Sequence, residues 1–121
     1  MKRTKLKSIS PRKAKANELY RKAKKEYRLA LALSQGLDAK TDPLCERCLS
    51  RTCGAGIHHK AGRSGVLLWH GKLFAGLCDV CHIQEVHGHP SQARVDGWIV
   101  DLTRDQYEEI RQEEQPKLYG C

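Results

Sequence analysis

The sequence Cys78-Asp79-Val80-Cys81-His82 is one half of a metal-binding pattern whose other half is Cys45-Glu46-Arg47-Cys48. Each half presents two sulfur atoms from one tight turn, and four thiolates complete a tetrahedral zinc shell with bonds of about 2.3 Å. A zinc ion bound in this way has no open position, so we expect it to stabilise the fold and to take no part in a reaction. The pair His58-His59 lies between the two halves. The four cysteines already complete the zinc shell, so we expect this pair and His82 to have a different function.

Two further cysteines, Cys53 and Cys121, lie outside the pairs. Cys53 could take the place of Cys48, but the two-residue spacing favours Cys48, and we expect the terminal Cys121 to be a free thiol. The alternatives to zinc are a redox dithiol or a set of buried cysteines with no ligand. In a reducing cytosol, paired Cys-x-x-Cys motifs favour a metal over a disulfide.

Size and composition limit the class of protein. The chain has 121 residues, of which 40% are hydrophobic and 6% aromatic. A core of this kind is small and needs a crosslink such as a metal. The longest apolar run, Leu29 to Leu33, is far shorter than the roughly 20 residues that span a bilayer. No stretch resembles a signal peptide. The sequence therefore predicts a soluble, cytoplasmic protein without membrane contact.

Positive charge is concentrated near the N-terminus. The net charge is +8, and residues 1–28 contain 12 Lys or Arg side chains against two acidic ones. Such an arm is typical of proteins that bind a phosphate backbone, whereas a solvated tail is the alternative. The residues predicted to contact nucleic acid are Lys2, Arg3, Lys5, Lys7, Arg12, Lys13, Lys60 and Arg63.

Helix signals are clear at both ends of the chain. Ser10-Pro11 predicts the start of an amphipathic helix that ends near Gly36, and one face of this helix is rich in Lys and Arg. A helix is predicted from Asp79 to about His87, and a short one from Pro90 to about Gly97. Thr103 to Gln106 fits a capping box that opens a final helix reaching about Glu114.

These elements predict an α+β fold with three segments. Residues 1–37 form the basic arm and amphipathic helix, residues 38–100 form a zinc domain with a short strand ending at the histidine pair, and residues 101–121 form an acidic helix or tail. The tail carboxylates are expected to face solvent; they are Asp105, Glu108, Glu109, Glu113 and Glu114.

The histidines suit both metal binding and general-base catalysis. An imidazole with an unperturbed pKa of about 6.5 is mostly neutral in the cytosol, as both roles require. Neighbouring strand residues point to opposite faces, so His58 and His59 can share one site only if the strand end is distorted. We expect His70 and His89 to lie on the surface.

This frame of cysteines and histidines resembles the HNH endonucleases, also called ββα-metal or His-Me finger nucleases, and above all the small zinc-containing type of phages and prophages. The resemblance covers nearly the whole chain except the acidic tail. The matching segments are Lys2 to Arg12, Cys45 to Cys48, Ile57 to Gly65, Leu77 to His82, Val86-His87, Pro90 and Ala93 to Trp98.

The resemblance implies a zinc-stapled ββα-metal core and hydrolysis of phosphodiester bonds in DNA. His59 matches the general base that activates water. His58, His82 and His87 match ligands of a catalytic divalent metal, for which Zn²⁺, Ni²⁺ or Mn²⁺ should compete well with Mg²⁺ at imidazole ligands.

The sequence departs from the family pattern in two places. The asparagine that orients the base is absent, because Asn17 in the arm is the single asparagine of the chain. His70, Lys72 or a backbone carbonyl could replace it. His82 and His87 are five residues apart, whereas neighbours on one α-helical face are three or four apart. His87 therefore points away from His82 unless the helix ends or bulges there.

Two other functions fit the same residues. One is a non-catalytic zinc module that binds nucleic acid. The other is an accessory protein of a phage complex, in which the acidic tail binds a protein partner.

Overall fold

A computed structural model of the chain describes residues 10–49 and 55–119. Helix α1 spans Pro11–Ser34, and the Ser10 hydroxyl caps it by accepting a hydrogen bond from the Lys13 backbone N–H at 3.2 Å. The helix ends before Gly36, whose φ of +78° suits glycine. Both predicted ends of this helix are confirmed.

The centre of the fold is a two-stranded antiparallel sheet. Strand β1 spans Gly56–His59 and strand β2 spans Phe74–Leu77. His58 pairs with Ala75 and His59 pairs with Phe74, so the register is regular up to the end of β1. Short 3₁₀ turns at Gly65–Leu68 and Gly71–Leu73 connect the strands. The mixed α/β class is confirmed.

Four helical segments follow the sheet. They are a π-helix at Cys81–His87, α2 at Pro90–Asp96, α3 at Arg104–Glu114 and α4 at Pro116–Tyr119. The capping box is confirmed, because the Thr103 hydroxyl accepts from the Gln106 N–H at 3.2 Å and the Gln106 side chain accepts from the Thr103 N–H at 2.9 Å. No helix in residues 10–49 or 55–119 is long and apolar enough to cross a membrane.

The core is small and is built around sulfur. The buried residues of the cluster around the sulfurs are Cys45, Ala75, Leu77, Cys78, Cys81, Val86 and Ala93. Trp98 and Ile99 pack against this cluster from the segment after α2. Outside this cluster, the buried apolar residues are Ala32, Ala55, Val66, Leu67, Trp69 and Phe74. A core of thirteen buried apolar residues, counted over the described part of the chain, is small, and a metal crosslink suits a domain of this size.

A polar contact fastens α1 to the sheet. The Tyr27 hydroxyl donates to Glu46 Oε2 at 2.6 Å, and the same oxygen accepts from the Gly76 N–H. A Cβ at Gly76 would lie 2.7 Å from Leu31 Cδ2, so glycine permits the close approach of α1 to β2. Arg28 donates to the carbonyl oxygen of Ala55 just before β1.

The C-terminal helices pack against the rest of the protein. Glu114 in α3 is only 5% exposed, and its carboxylate lies 3.2 Å from His70 Nδ1. His70 itself is 4% exposed. The predictions that Glu114 faces solvent and that His70 lies on the surface are therefore wrong, since each side chain supplies the polar partner that allows the other to be buried.

We predict that Tyr27→Phe weakens the attachment of α1. The change removes a hydrogen bond to a carboxylate, which should lower the free energy of unfolding by about 1.5 kcal/mol. Burial and Glu46 raise the pKa of Tyr27, so the wild type should lose this contribution as the pH rises above about 10, where the unfolded chain ionises first. Urea unfolding of both proteins measures the difference.

Tyr20→Phe is the matched control, because no hydrogen bond of the Tyr20 hydroxyl occurs within the described ranges. Equal destabilisation by both changes would contradict the role of the Tyr27 hydroxyl.

Candidate metal centres

Four cysteines converge at the junction of the first Cys-x-x-Cys turn, β2 and the π-helix. The sulfur atoms of this cysteine cluster (Cys45, Cys48, Cys78 and Cys81) all lie within 4.8 Å of one another. Cys48 Sγ and Cys78 Sγ are 3.8 Å apart, which is the separation of about 3.8 Å that tetrahedral zinc with bonds of about 2.3 Å requires. The backbone N–H of Cys81 points at Cys78 Sγ over 3.5 Å. The donors and their spacing therefore suit a structural zinc.

The protonation of the cysteine cluster also suits a cation. Burial disfavours the Cys45 thiolate, but backbone N–H groups of Cys48, Cys78 and Arg47 outweigh it and lower the pKa of Cys45 to about 6. The Cys81 N–H favours the Cys78 thiolate, yet burial and the neighbouring sulfurs raise the pKa of Cys78 to about 12. Sulfurs this close cannot all ionise unless a positive charge joins them.

Three histidines form a second cluster. Each residue of this histidine cluster (His58, His82 and His87) offers one ring nitrogen, and the three atoms lie within 4.8 Å of one another. The Nε2 atoms of His82 and His87 are 3.0 Å apart. Two nitrogens that bind one metal ion with bonds of about 2.1 Å, at a right angle to each other, would also be about 3.0 Å apart. Two neutral rings at this distance share one N–H···N hydrogen bond.

The π-helix explains how His82 and His87 meet. Hydrogen bonds from residue i to residue i+5 widen each turn, so residues five apart lie above one another. The sequence predicts that His87 points away from His82 unless the helix ends or bulges there. The π-helix is such a bulge, and the two rings are in contact. The helix ends at Gly88, where a Cβ would press into the carbonyl oxygen of Gln84. A side chain at this position would therefore disturb the last π-turn.

His58 is held by the segment after α2. Its ring is 4% exposed, and its Nε2 lies 2.6 Å from the carbonyl oxygen of Trp98. A carbonyl only accepts, so Nε2 carries the hydrogen and Nδ1 keeps the lone pair. A backbone carbonyl on the far nitrogen is the usual way in which proteins orient a metal-binding histidine. Trp98 gave no signal of this role in the sequence, because the contact uses its backbone.

His59 is not part of the histidine cluster. Its ring packs on Phe74 and Tyr20, with centroids 4.9 and 5.3 Å away, on the side of the hairpin that faces α1. Its Nε2 donates to the carbonyl oxygen of Leu68 at 3.0 Å, which leaves the lone pair on Nδ1. The distortion that would bring His58 and His59 to one face is absent from the regular strand end.

The rings of His58, His59 and His82 favour the neutral form. Burial is the main cause that lowers the pKa of His58, His59 and His82. At His59 the Leu68 carbonyl opposes this effect, and the positive charge of Arg63 lowers the pKa further. A neutral imidazole is the form that binds a metal or accepts a proton.

The residues predicted to bind nucleic acid fall into three groups. Arg12 and Lys13 lie in the first turn of α1, and Lys60 directly follows β1. The Arg63 guanidinium lies 5.7 Å above the Tyr20 ring. Lys2, Arg3, Lys5 and Lys7 lie outside the described residues, as do Cys53 and Cys121. His89 is exposed, as predicted.

Comparisons of the chain with protein-family models, with curated proteins and with solved structures found no match.

We predict that Cys78→Ser abolishes zinc binding. Hydroxyl oxygen is a poor zinc ligand, and structural zinc contributes about 10–16 kcal/mol to folding in small domains. The variant should contain less than one tenth of the wild-type zinc by metal analysis and should lose its cooperative thermal transition. Cys53→Ser is the control and should keep both. Zinc retained by the first variant or lost by the second would contradict the assignment.

We predict that Gly88→Ala damages the histidine cluster and spares the cysteine cluster. The added methyl group must displace the Gln84 carbonyl and with it the end of the π-helix that carries His87. Titration with Ni²⁺ or Co²⁺, followed by absorption spectroscopy after the cysteine cluster is saturated with zinc, should show at least tenfold weaker binding.

Gly71→Ala is the control for this change, because a Cβ there meets no atom within 4 Å. The prediction fails if both alanine variants bind the second metal as tightly as the wild type.

Proposed function

We propose that the protein is a metal-dependent DNA endonuclease of HNH type, with a ββα-metal core of the small phage or prophage kind. One observation carries the proposal. Three imidazoles converge between the end of β1 and the two ends of the π-helix, and His59, the next residue after His58, lies on the other face of the hairpin with its Nε2 fixed by a carbonyl. The order hairpin, then helix, agrees with the same core.

The histidine cluster is the proposed holder of a divalent cation. Its neutral rings are suitable ligands, and the Trp98 carbonyl orients His58 with Nδ1 free. A bound divalent cation supplies Lewis acidity at the phosphate and favours loss of the leaving oxygen. Imidazole ligands favour Zn²⁺, Ni²⁺ and Mn²⁺ relative to Mg²⁺. The cysteine cluster holds a separate structural zinc.

His59 is the proposed general base. Its Nδ1 lone pair takes a proton from water as the water oxygen attacks phosphorus, the bond from phosphorus to the leaving oxygen breaks, and His59 becomes an imidazolium. During this step His59 Nε2–H keeps its hydrogen bond to the Leu68 carbonyl, which orients the ring in place of the missing asparagine. Of the three replacements that the sequence allowed, the backbone carbonyl is the one in contact, since His70 faces Glu114 and Lys72 faces Glu113.

Phosphate binding is assigned to the residues that follow β1. Arg63 is exposed and lies over the Tyr20 ring, which also contacts His59. A guanidinium at this place can bind two phosphate oxygens while the base acts on the adjoining water. Lys60 adds a positive charge at the strand end.

A non-catalytic DNA-binding zinc module is the second candidate. It is favoured by the regular end of β1, which directs His59 and the histidine cluster to opposite faces of the hairpin. In that case the histidine cluster binds a metal without hydrolysis, and the partner is DNA or a phage protein.

We predict that the purified protein nicks supercoiled plasmid in the presence of Mn²⁺, Ni²⁺ or Mg²⁺. His59→Ala should lower the rate by about 10²–10⁴-fold through loss of the general base, with zinc content unchanged. His89→Ala is the control and should keep full activity, since the His89 ring is exposed and makes no capping hydrogen bond at the start of α2. Plasmid that stays intact with every metal, or equal nicking by wild type and His59→Ala, excludes the proposed enzyme.

A further inference from the structure

The pairing of positive charges differs sharply between α1 and the rest of the protein. From Cys45 onward, five described cations have an acidic partner within 4.0 Å: Arg47 with Glu85, Lys72 with Glu113, Arg94 with Asp101, Arg111 with Glu108 and Lys117 with Glu114. Two cations of α1 are also paired, Lys15 with Glu18 and Arg28 with Asp42. On α1, Arg21, Lys24 and Lys25 are exposed and have no such partner in residues 10–49 and 55–119. Unpaired cations on one helix repel each other unless a polyanion covers them.

These three side chains share one flank of α1. Tyr20 and Tyr27 face the sheet, and steps of three and four residues place Arg21, Lys24 and Lys25 beside them on the same side. Together they line a cleft of about 500 Å³ against the loop of residues 39–43. Lys40 lies across this cleft. The side chains Arg21, Lys24 and Lys25 are called the α1 flank below.

The opposite side of α1 has a different character. Lys22 and Glu26 line another cleft, of about 430 Å³, with His70, Lys72 and Glu114. Lys117 also lines this cleft and pairs with Glu114, and Lys72 pairs with Glu113. With Glu26 beside Lys22, the acidic groups balance the cations on this side.

The α1 flank is continuous with the proposed reaction site. It begins one residue after Tyr20, whose ring contacts both His59 and Arg63. Lys25 lies about 7.5 Å further along the helix, a length of about two base-pair steps. Arg28 does not belong to this set, because it is already bonded to the Ala55 carbonyl and to Asp42, and so holds the loop in place.

We infer that the α1 flank is a second contact for the DNA phosphate backbone, separate from the predicted contacts at Lys2 to Lys13, and that it fixes the duplex along α1 beside His59. The inference rests on the proposed function only in taking DNA as the partner. The sequence predicts that the N-terminal arm, Lys60 and Arg63 provide the affinity for DNA. The inference assigns a part of that affinity to helix α1.

The test is the salt dependence of binding to a short blunt DNA duplex of mixed sequence, measured by fluorescence anisotropy with zinc-loaded protein and no other divalent metal. The variant is Arg21→Gln/Lys24→Gln/Lys25→Gln, in which glutamine preserves helix propensity. Loss of three contacts should reduce the slope of log K against log salt by about 2.7. Between about 50 and 200 mM salt, wild-type affinity should then fall about 40-fold more than that of the variant.

The matched control is Lys15→Gln/Lys22→Gln/Lys72→Gln, which removes the same net charge. Lys15 and Lys22 are seven residues apart and lie on the other side of α1, and Lys72 lines the charge-balanced cleft. Its slope should equal that of the wild type. Equal slopes for both triple variants would overturn the inference, and so would tighter binding to anionic lipid vesicles than to DNA.

The result is independent of catalysis. A protein that binds DNA through the α1 flank but never nicks it leaves the inference standing and rejects the endonuclease. A protein that nicks plasmid while the triple variant keeps the wild-type slope rejects the inference alone.

Discussion

The central constraint on the fold is the convergence of four cysteines, which could hold a metal ion, from two chain segments that are far apart in sequence. The first Cys-x-x-Cys turn follows the loop after α1, and the second joins β2 to the π-helix. The largest fully buried side chains are Phe74, Leu77, Val86 and Cys45, so one of the four is a candidate metal ligand. Structural zinc supplies about 10–16 kcal/mol of binding free energy, comparable to the whole net stability of a small domain. Glu46, inside the first turn, extends this connection to α1 through Tyr27.

Local signals in the sequence were sufficient for the element ends and for the cysteine cluster. Ser10, Pro90 and the Thr103 capping box act within a few residues of themselves, and the cysteine spacing defines each turn. The burial of His70 depends on Glu114, 44 residues away, and no local pattern joins them. The Trp98 and Leu68 contacts use carbonyl oxygens, which every residue possesses, so the sequence cannot single them out. The contact of Tyr20 with His59 is likewise a tertiary property.

The π-helix is the clearest case in which tertiary demands override the regular period. An α-helix is the better-packed form, and a π-segment persists only where other contacts compensate. Here Cys81 at one end is tied to the cysteine cluster, and Gly88 at the other end gives space to the Gln84 carbonyl. The π-helical spacing places the side chains of His82 and His87 next to each other. Such a segment concentrates at functional sites in proteins generally, which agrees with a metal-binding role for these rings.

Burial of the histidines couples metal binding to stability. Because the pKa values of His58, His59 and His82 are lowered, the unfolded chain binds more protons than the folded chain once the pH falls below about 6.5. The folded state then loses stability as the pH falls further towards the lowered pKa values. A cation that binds only the folded state offsets this loss by mass action. His58 and His82 are thus held neutral and close together at a cost to the metal-free protein, and a divalent cation bound to their lone pairs would offset that cost. His59 lies on the other face of the hairpin and would not share in this effect.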